Sequence, residues 1–433
     1  MTPRVLKETL EEWAQEARVP RDLADRALRR RGRRRFAAFL APALATGIVV
    51  LAVMLVVPWL RAAGPAPVRP AVSSSGAPLR QVIPLRPADD PPVKVTFDER
   101  SRGGVLTDTR DSPPKKMIAA GRVGVSAYWI WHPRATADGE TLDRTWYLLD
   151  QVTLRYEKTD WGYLDVAPGL RYAAVLEKEL PVRRIGIFHM ETRRVLAWIP
   201  VDQPVAAVAW SPDGTRLVAT AYAENPDRRS DDSAQCPPSD GGGTDTAGAV
   251  AGPRRWSMRT SRTGFYVVDV ATATAGEFRA IDPCVVDNMN TRRDFRWSDD
   301  GTLLYERSIV QGQPDVFYDV EGNRHAAPAD YLAKESKAGL SPNGRLLAGR
   351  DGLPTAVTER ATGKVVGRQR VLQLLAWADD DHLVALGCAG TCRNEFNNGL
   401  VLVSVDGAKT VQLSANRKNT TKPGSWEPVF TLR

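Results

Sequence analysis

The sequence is poor in the residues that most often bind metals or carry redox chemistry, with 4 Cys and 4 His among 433 residues. It also lacks Gly-x-Ser-x-Gly, His-Glu-x-x-His and Gly-x-x-x-x-Gly-Lys-Ser/Thr, the patterns that place a serine nucleophile, a catalytic zinc and a bound nucleotide. The histidines are far apart in the chain, at His132, His189, His325 and His382. We therefore expect no metal, no cofactor and no enzymatic activity.

The excess of positive charge is concentrated at the amino end. The formal net charge is +8, but residues 1–35 hold 11 Lys/Arg and 6 Asp/Glu, a net of +5. That leaves +3 for the other 398 residues, which is too little for a surface that follows a phosphate backbone. The sequence therefore predicts no nucleic-acid partner.

One segment, residues 36–60, has no charged residue along 25 positions. As a helix it would be roughly 37 Å long, enough to cross a hydrocarbon layer of about 30 Å. Six arginines lie at 29–35, directly before it, so the positive-inside rule predicts a cytoplasmic amino end and an extracytoplasmic remainder. We predict a retained signal anchor in the cell membrane, because a cleavable signal peptide has a much shorter charged region.

Residues 1–35 have apolar residues at helical spacing, which predicts two short helices. Such helices are marginal alone in water, so they either fold on a partner, lie on the inner leaflet, or form a solvated tail. The run PRDLADRALRRRGRRR at 20–35 resembles the stubs of bacterial membrane proteins of the anti-sigma-factor type, without that family's His/Cys zinc motif. The resemblance implies a sigma factor as a cytoplasmic partner of residues 1–35.

A proline-rich segment follows the predicted span. Residues 61–92 include eight prolines and no hydrophobic period, which is typical of an extended spacer. We predict a linker at 61–93 and a folded extracytoplasmic domain at 94–433 with an insertion at 224–262.

The folded region repeats a pattern of apolar strand, polar turn and apolar strand, as in AAVAWSPDGTRLVATA at 206–221. The intervals between successive turns are 44, 87, 43 and 37 residues, with turns beginning at Ala167, Ser211, Ser298, Ser341 and Ala378. The long interval includes the insertion. A period near 40 residues with four strands is typical of a β-propeller blade. The sequence predicts an all-β fold of six blades, or seven if residues 94–116 contribute one.

The pattern xWSPDGxxL resembles the WD40-like bacterial repeats of TolB-type propellers over residues 117–415. We expect the strand near 428–432 to pair with the first blade and remove its open edge. A β-sandwich is the alternative fold, but sandwiches do not repeat at this period.

Four cysteines in an exported domain are even in number and lie in an oxidising compartment. We predict the disulfides Cys236–Cys284 and Cys388–Cys392. A zinc site is the alternative, but the scattered histidines argue against it.

Four long loops fall on one face of the predicted propeller, at 132–144, 224–263, 283–293 and 388–398. Loops on a rigid scaffold are the usual place for binding. The candidate binding residues on this face are Trp131, His132, Trp256, Arg393 and Asn394.

We expect a membrane-anchored sensor or scaffold that binds a protein, peptide or envelope ligand through this face. One alternative is a regulator that acts through residues 1–35. Another is a hydrolase or lyase in the central channel, which convergence of three or more Asp, Glu or His side chains there would favour.

Overall fold

The computed structural model describes residues 104–136, 139–229, 258–285, 292–307, 315–328, 331, 337–349, 352–390, 396–417 and 422–433. Within these ranges the chain is all β, with no α-helix. No helix among them is long and apolar enough to cross a membrane. The predicted stub at 1–35, span at 36–60 and linker at 61–93 lie outside the described residues.

The first part of the domain is built from long strands. In chain order these are β1 (Val105–Leu106), β2 (Ala119–Ala120), β3 (Val123–Thr136), β4 (Gly139–Asp150), β5 (Arg155–Lys158), β6 (Tyr163–Val166), β7 (Tyr172–Leu176), β8 (Val182–His189), β9 (Arg194–Trp210), β10 (Arg216–Tyr222), β11 (Arg228–Arg229), β12 (Met258–Arg259), β13 (Arg262–Asp269) and β14 (Thr274–Ala275).

The second part has shorter strands. They are β15 (Arg279–Ala280), β16 (Cys284–Val285), β17 (Arg296–Trp297), β18 (Leu304–Glu306), β19 (Val316–Tyr318), β20 (Arg324–His325), β21 (Leu346–Ala348), β22 (Thr355–Glu359), β23 (Val365–Gln369), β24 (Gln373–Trp377), β25 (His382–Gly387), β26 (Gly399–Ser404), β27 (Thr410–Gln412) and β28 (Trp426–Leu432).

The strands form antiparallel sheets that follow one another along the chain in a propeller-like arrangement. The first sheet has the order β1-β2-β3-β4-β11, with β28 on β3 and β5 on β4. The second has the order β14-β13-β10-β9-β8-β7-β6, with β15 on β13. Three later sheets are β17 to β20, β21 to β23 and β24 to β27, and β12 pairs with β16 alone.

The repeated turn motif begins most of these sheets. Gly214, Gly301 and Gly344 have φ values of 69°, 69° and 71°, a region that glycine enters without steric cost. In the first of these turns the Gly214 amide donates to the Ser211 carbonyl (2.9 Å), and the Arg216 amide donates to Ser211 Oγ (2.9 Å). The predicted Ser-Pro-Asp-Gly reversals are therefore present as hairpin turns.

Tryptophans join the first strands of neighbouring sheets. The indole Nε1 of Trp210 donates to the Asp165 carbonyl (3.2 Å), and that of Trp297 donates to the Ala209 carbonyl (3.2 Å). Trp377 donates in the same way to the Gly339 carbonyl (3.1 Å). These bonds join β9 to β6, β17 to β9, and β24 to the segment at Gly339. We call the region along these strands the axial space.

The strand β28 pairs antiparallel with β3, from Trp426 opposite Ile130 to Leu432 opposite Val123. Across this pair the hydroxyls of Ser126 and Thr431 are 2.7 Å apart and buried. The predicted pairing of the strand near 428–432 with the first sheet is therefore confirmed.

The number of separate sheets is lower than the six or seven blades expected. The described residues form five sheets of three or more strands, because β9 runs without a break from Arg194 to Trp210 and belongs to both halves of the eight-stranded sheet. Residues 105–120 add no blade, since β1 and β2 extend the sheet of β3.

Candidate functional site

The hairpin of β3 and β4 projects beyond its sheet and bears two of the predicted binding residues. Trp131 is half-buried and His132 is exposed, opposite Arg144 and Asp143 on β4. A side-chain pair of Arg134 and Asp143, with Nη2 and Oδ1 at 3.1 Å, joins the two exposed arms. The paired strands β3 and β4 therefore extend together into solvent at this end.

The beginning of the insertion is attached to this hairpin. β11 pairs with β4, with Arg228 opposite Thr141, and the Leu142 amide donates to the Asp227 carbonyl (2.9 Å). Two predicted loops, 132–144 and 224–263, are therefore in direct contact along their described residues.

A buried ion network connects a third loop to the first two. The two oxygens of Asp227 accept from Arg292 at 2.9 Å (Nε) and 2.7 Å (Nη2), and Oδ1 also lies 2.9 Å from Nη2 of Arg144. Burial alone would raise the pKa of Asp227, but the charges of Arg292 and Arg144 outweigh it and lower that pKa. Asp227 is thus an anion shared by two cations.

Arg292 extends the network towards the first strands. Its Nη1 lies 3.1 Å from both oxygens of Asp294, and Oδ1 of Asp294 accepts from the Tyr222 hydroxyl (2.8 Å). The Tyr163 hydroxyl lies 3.5 Å from Oδ2 of Asp294. Burial, then the charge of Asp294, raises the pKa of Tyr222 well above its usual range. The Tyr222 hydroxyl therefore donates a hydrogen bond to the carboxylate of Asp294 and stays neutral.

A second buried ion pair lies between the sheets of β13 and β18. Nη1 of Arg262 donates to Oε2 of Glu306, and the Tyr318 hydroxyl lies 3.3 Å from the other carboxylate oxygen. The Arg262 guanidinium stacks over the Phe295 ring at 4.8 Å. Both side chains are less than 10% exposed, so this pair stabilises the junction of the two sheets and is closed to a ligand.

The fourth predicted loop reaches the same end of the molecule. Arg417 Nη2 donates to Oδ1 of Asn398 (2.7 Å), and Nη1 donates to Oε1 of Glu427 (3.0 Å). The Gly424 amide then donates to the Trp131 carbonyl (3.1 Å). We call this end of the molecule the loop face. Its described parts are 131–144, 222–229, 292–294, 396–398 and 422–427.

The remaining predicted site residues have no described side chain. Trp256, Arg393, Asn394, Cys236 and Cys392 lie outside the described residues. Cys284 is described only as a strand residue, paired through its backbone with Arg259. Cys388 is half-buried and disulfide-bonded, and the predicted pairings stay predictions.

A polar group that sequence reasoning missed lies on the first strands themselves. Asp165 accepts from the Trp210 amide (2.8 Å), and burial raises its pKa to about 6 against the opposing effects of that bond and of the Arg296 charge. Arg296 is reached by solvent, although the surrounding protein partly desolvates its guanidinium. Burial lowers its pKa, but Tyr305, Tyr163, Asp294 and Asp165 outweigh this and raise it. The charges of Asp165 and Arg296 therefore act on each other.

Only one signal could have indicated these residues. The position before the repeated Trp is Ala209 or Ala376 in other sheets, and Gly339 precedes Leu340 at the corresponding place, so a charged residue there departs from the pattern. Asp227 and Arg292 carry no such signal, because both lie in irregular loops.

The described residues hold no group of three or more His, Cys, Asp or Glu side chains that could bind a metal ion. Among the loop-face carboxylates, Asp227 and Asp294 bind arginines and Glu427 binds Arg417. This arrangement favours a rigid surface.

Comparison with known proteins gives structural likeness only. No family model and no curated protein matches the chain. The solved structures that match include TolB from Acinetobacter baumannii, with 15% identity over 72% of this chain and 67% of that one, at a TM-score of 0.36. Kuenenia stuttgartiensis hydrazine synthase matches with 14% identity over 60% and 69%, and a mitotic checkpoint complex with 13% over 63% and 73%, both at 0.32. At these TM-scores the likeness carries no conclusion, and the propeller-like arrangement rests on the strand pairing above.

Proposed function

We propose that this chain is a binding scaffold that recognises a protein or peptide ligand through the loop face. The observation that carries the proposal is the convergence of separate chain segments on Asp227, which holds Arg144 and Arg292 together. Such a buried network keeps loops in one arrangement before a ligand arrives, which lowers the entropic cost of binding. The hairpin that bears Trp131 and His132 then presents exposed side chains on a rigid base.

Binding rather than bond-making is the role we infer for this face. The carboxylates of Asp227 and Asp294 each accept from arginine, so neither is a ready general base. This inference accords with the absence of catalytic motifs in the sequence.

The experiment places a photo-cross-linking amino acid at His132 or Arg134 in the full chain, in cells. The matched control is Val152, which is 74% exposed in the turn after the opposite end of β4. We expect the same discrete cross-linked species from both hairpin positions and none from Val152. Equal labelling from all three positions, or none from the hairpin, would contradict the proposal.

We also propose that six four-stranded blades build the propeller. Two features support this count: β9 pairs with β8 through residues 194–200, and with β10 through residues 205–210. The eight-stranded sheet then counts as two blades that share one long strand. An isolated bridge of Leu340 with Leu347 supplies a first strand for the β21 sheet.

Residues 36–60 are proposed as a membrane anchor, with the described domain on the extracytoplasmic side. Support comes from the uncharged run and the arginines before it. The test is resistance of the protein to alkaline extraction of membranes, together with the activity of reporters fused before residue 36 and after residue 433. Complete release of the protein by alkaline extraction, or activity of a cytoplasmic reporter fused after residue 433, would contradict this proposal.

The cytoplasmic stub at 1–35 is proposed to contact a sigma factor, on the sequence resemblance alone. Co-purification with the full chain, compared with a chain lacking residues 1–35, tests it. Equal recovery of a sigma factor with the full chain and with the chain lacking residues 1–35 would contradict this proposal.

The disulfides Cys236–Cys284 and Cys388–Cys392 are proposed for the exported domain. Mass spectrometry of unreduced peptides tests them. Any other pairing, or free thiols at these positions, would overturn this assignment.

A further inference from the structure

Arg296 is a cation on the first strand of its sheet. It is opposite Tyr305 on β18, whereas its neighbours Phe295 and Trp297 are buried in the hydrophobic cluster on the other side of the strand. No hydrogen bond or ion pair joins its guanidinium to another described residue. A solvent-accessible guanidinium that is hydrogen-bonded to no other described side chain can donate its N–H groups to a ligand.

The neighbouring sheets leave room for this side chain. The indole bonds show that Asp165, Ala209 and Gly339 occupy the position equivalent to Arg296 in other sheets, and two of these three have little or no side chain. Arg296 and Asp165 therefore lie on either side of small Ala209. Their charges affect each other's pKa, and Tyr163 and Tyr305 also act on Arg296.

The charges around Arg296 favour one negative charge on the ligand. Asp227 and Asp294 balance Arg144 and Arg292 in the buried network. The remaining charge of Arg296 acts on Asp165, whose pKa burial raises to about 6. A dianionic ligand would meet the single positive charge of Arg296 next to the carboxylates of Asp165 and Asp294. A monoanionic ligand matches that single positive charge.

We propose that the axial space beside β6 and β17 binds the carboxylate of a ligand, with the Arg296 guanidinium as its ion-pair partner. A planar guanidinium and a carboxylate match in a bidentate geometry. Tyr163 and Tyr305 border the site, and a peptide carboxyl end or a small carboxylic acid presents the required group. This site lies on the first strands, whereas the proposed function places its ligand on the hairpin of Trp131 and His132.

The charge of Asp165 sets the pH dependence of this site. When Asp165 is ionised it competes with the ligand for Arg296, and when it is protonated the competition ends. Besides Arg296, the groups that act on Asp165 are the backbone amides of Trp210 and Val166, which donate to it. Arg296 is in turn affected by Tyr305, Tyr163 and Asp294, the last of which is bound by Arg292. Carboxylate binding therefore strengthens as the pH falls through the pKa of Asp165.

The experiment measures binding of benzoate to the full chain by ligand-observed NMR, with benzamide as the uncharged control. Wild type is compared with Arg296→Gln and with Arg324→Gln, an exposed arginine on the same sheet. We expect Arg296→Gln to weaken benzoate binding by about tenfold or more, Arg324→Gln to leave it unchanged, and benzamide not to bind.

Asp165→Asn provides the second measurement. Wild type should bind benzoate about fivefold more tightly at about pH 5.5 than at about pH 7.5, whereas Asp165→Asn should bind equally at both. An N-acetylated tripeptide with a free carboxyl end, compared with its amide, distinguishes a peptide end from a small acid. Equal benzoate binding by wild type and Arg296→Gln, benzamide binding as strong as benzoate, or no benzoate binding would overturn the proposal.

Discussion

At the scale of single residues, Asp227 is the anion on which the loop face depends. We expect Asp227→Asn to lower the free energy of unfolding by about 3–5 kcal/mol, because the buried Arg144 loses its carboxylate partner and Arg292 loses one of its two. Urea denaturation followed by tryptophan fluorescence measures it.

Glu177→Gln is the control for this change. Glu177 is paired with Arg184, whose side chain is 50% exposed, and an exposed pair contributes little. A loss of stability from Glu177→Gln equal to that from Asp227→Asn would contradict the role assigned to the network.

Asp165 makes stability depend on pH in the direction opposite to most carboxylates. Its folded-state pKa of about 6 exceeds the usual 3.8, so the folded protein holds a proton that the unfolded chain releases. Stability therefore falls as the pH rises from about 4 to about 6, by about 3 kcal/mol for this group. Asp165→Asn should remove this fall, as measured by urea denaturation across that range.

Asp213 provides the contrasting case at the residue scale. Burial alone would raise the pKa of Asp213, but hydrogen bonds from Ser211 and Thr215 outweigh this effect and lower that pKa. The stability that Asp213 contributes is present above its pKa in the unfolded chain. It is lost as the pH falls through its lower pKa in the folded protein. Asp213→Asn should therefore destabilise the protein at neutral pH and have little effect in acid. The same sign of pH dependence for both variants would contradict these assignments.

At the scale of elements, the indole bonds hold neighbouring first strands together. We expect Trp377→Phe to cost about 0.5–1.5 kcal/mol, because the half-buried Gly339 carbonyl loses the indole donor and keeps only the Ala348 amide, at 3.0 Å. Trp161→Phe is the control, since Trp161 makes ring contacts with Phe188 and Trp198 that a phenylalanine can keep. Thermal unfolding of both variants measures the difference, and an equal loss would contradict the role of the indole N–H.

The elements also show how far the sequence could predict this fold. Hairpins with turns such as Ser211 to Gly214 were predictable, because turn chemistry is local and the strand pattern repeats. The continuity of β9 was not, because neither of its prolines, Pro200 and Pro204, ends the strand. The network of Asp227 was also hidden, because its partners are brought together by pairing between distant strands and not by any short motif.

At the scale of the whole molecule, β28 completes the first sheet. Deletion of residues 426–433 exposes the edge of β3, and we expect the truncated chain to unfold without cooperativity or to self-associate. A synthetic peptide of residues 424–433 should restore a cooperative transition in urea, whereas a peptide of scrambled order should not. Cooperative unfolding of the truncated chain alone would contradict this view.

The pairing of β28 with β3 has a consequence for the timing of folding. Ser126 and Thr431 are 305 positions apart in the chain, so at about 5–20 residues per second β3 is synthesised roughly 15–60 s before its partner. During that interval an unsatisfied row of amides and carbonyls can recruit a strand from another nascent molecule. The first sheet to emerge is thus the last to be finished, and a holding chaperone would protect it during that delay.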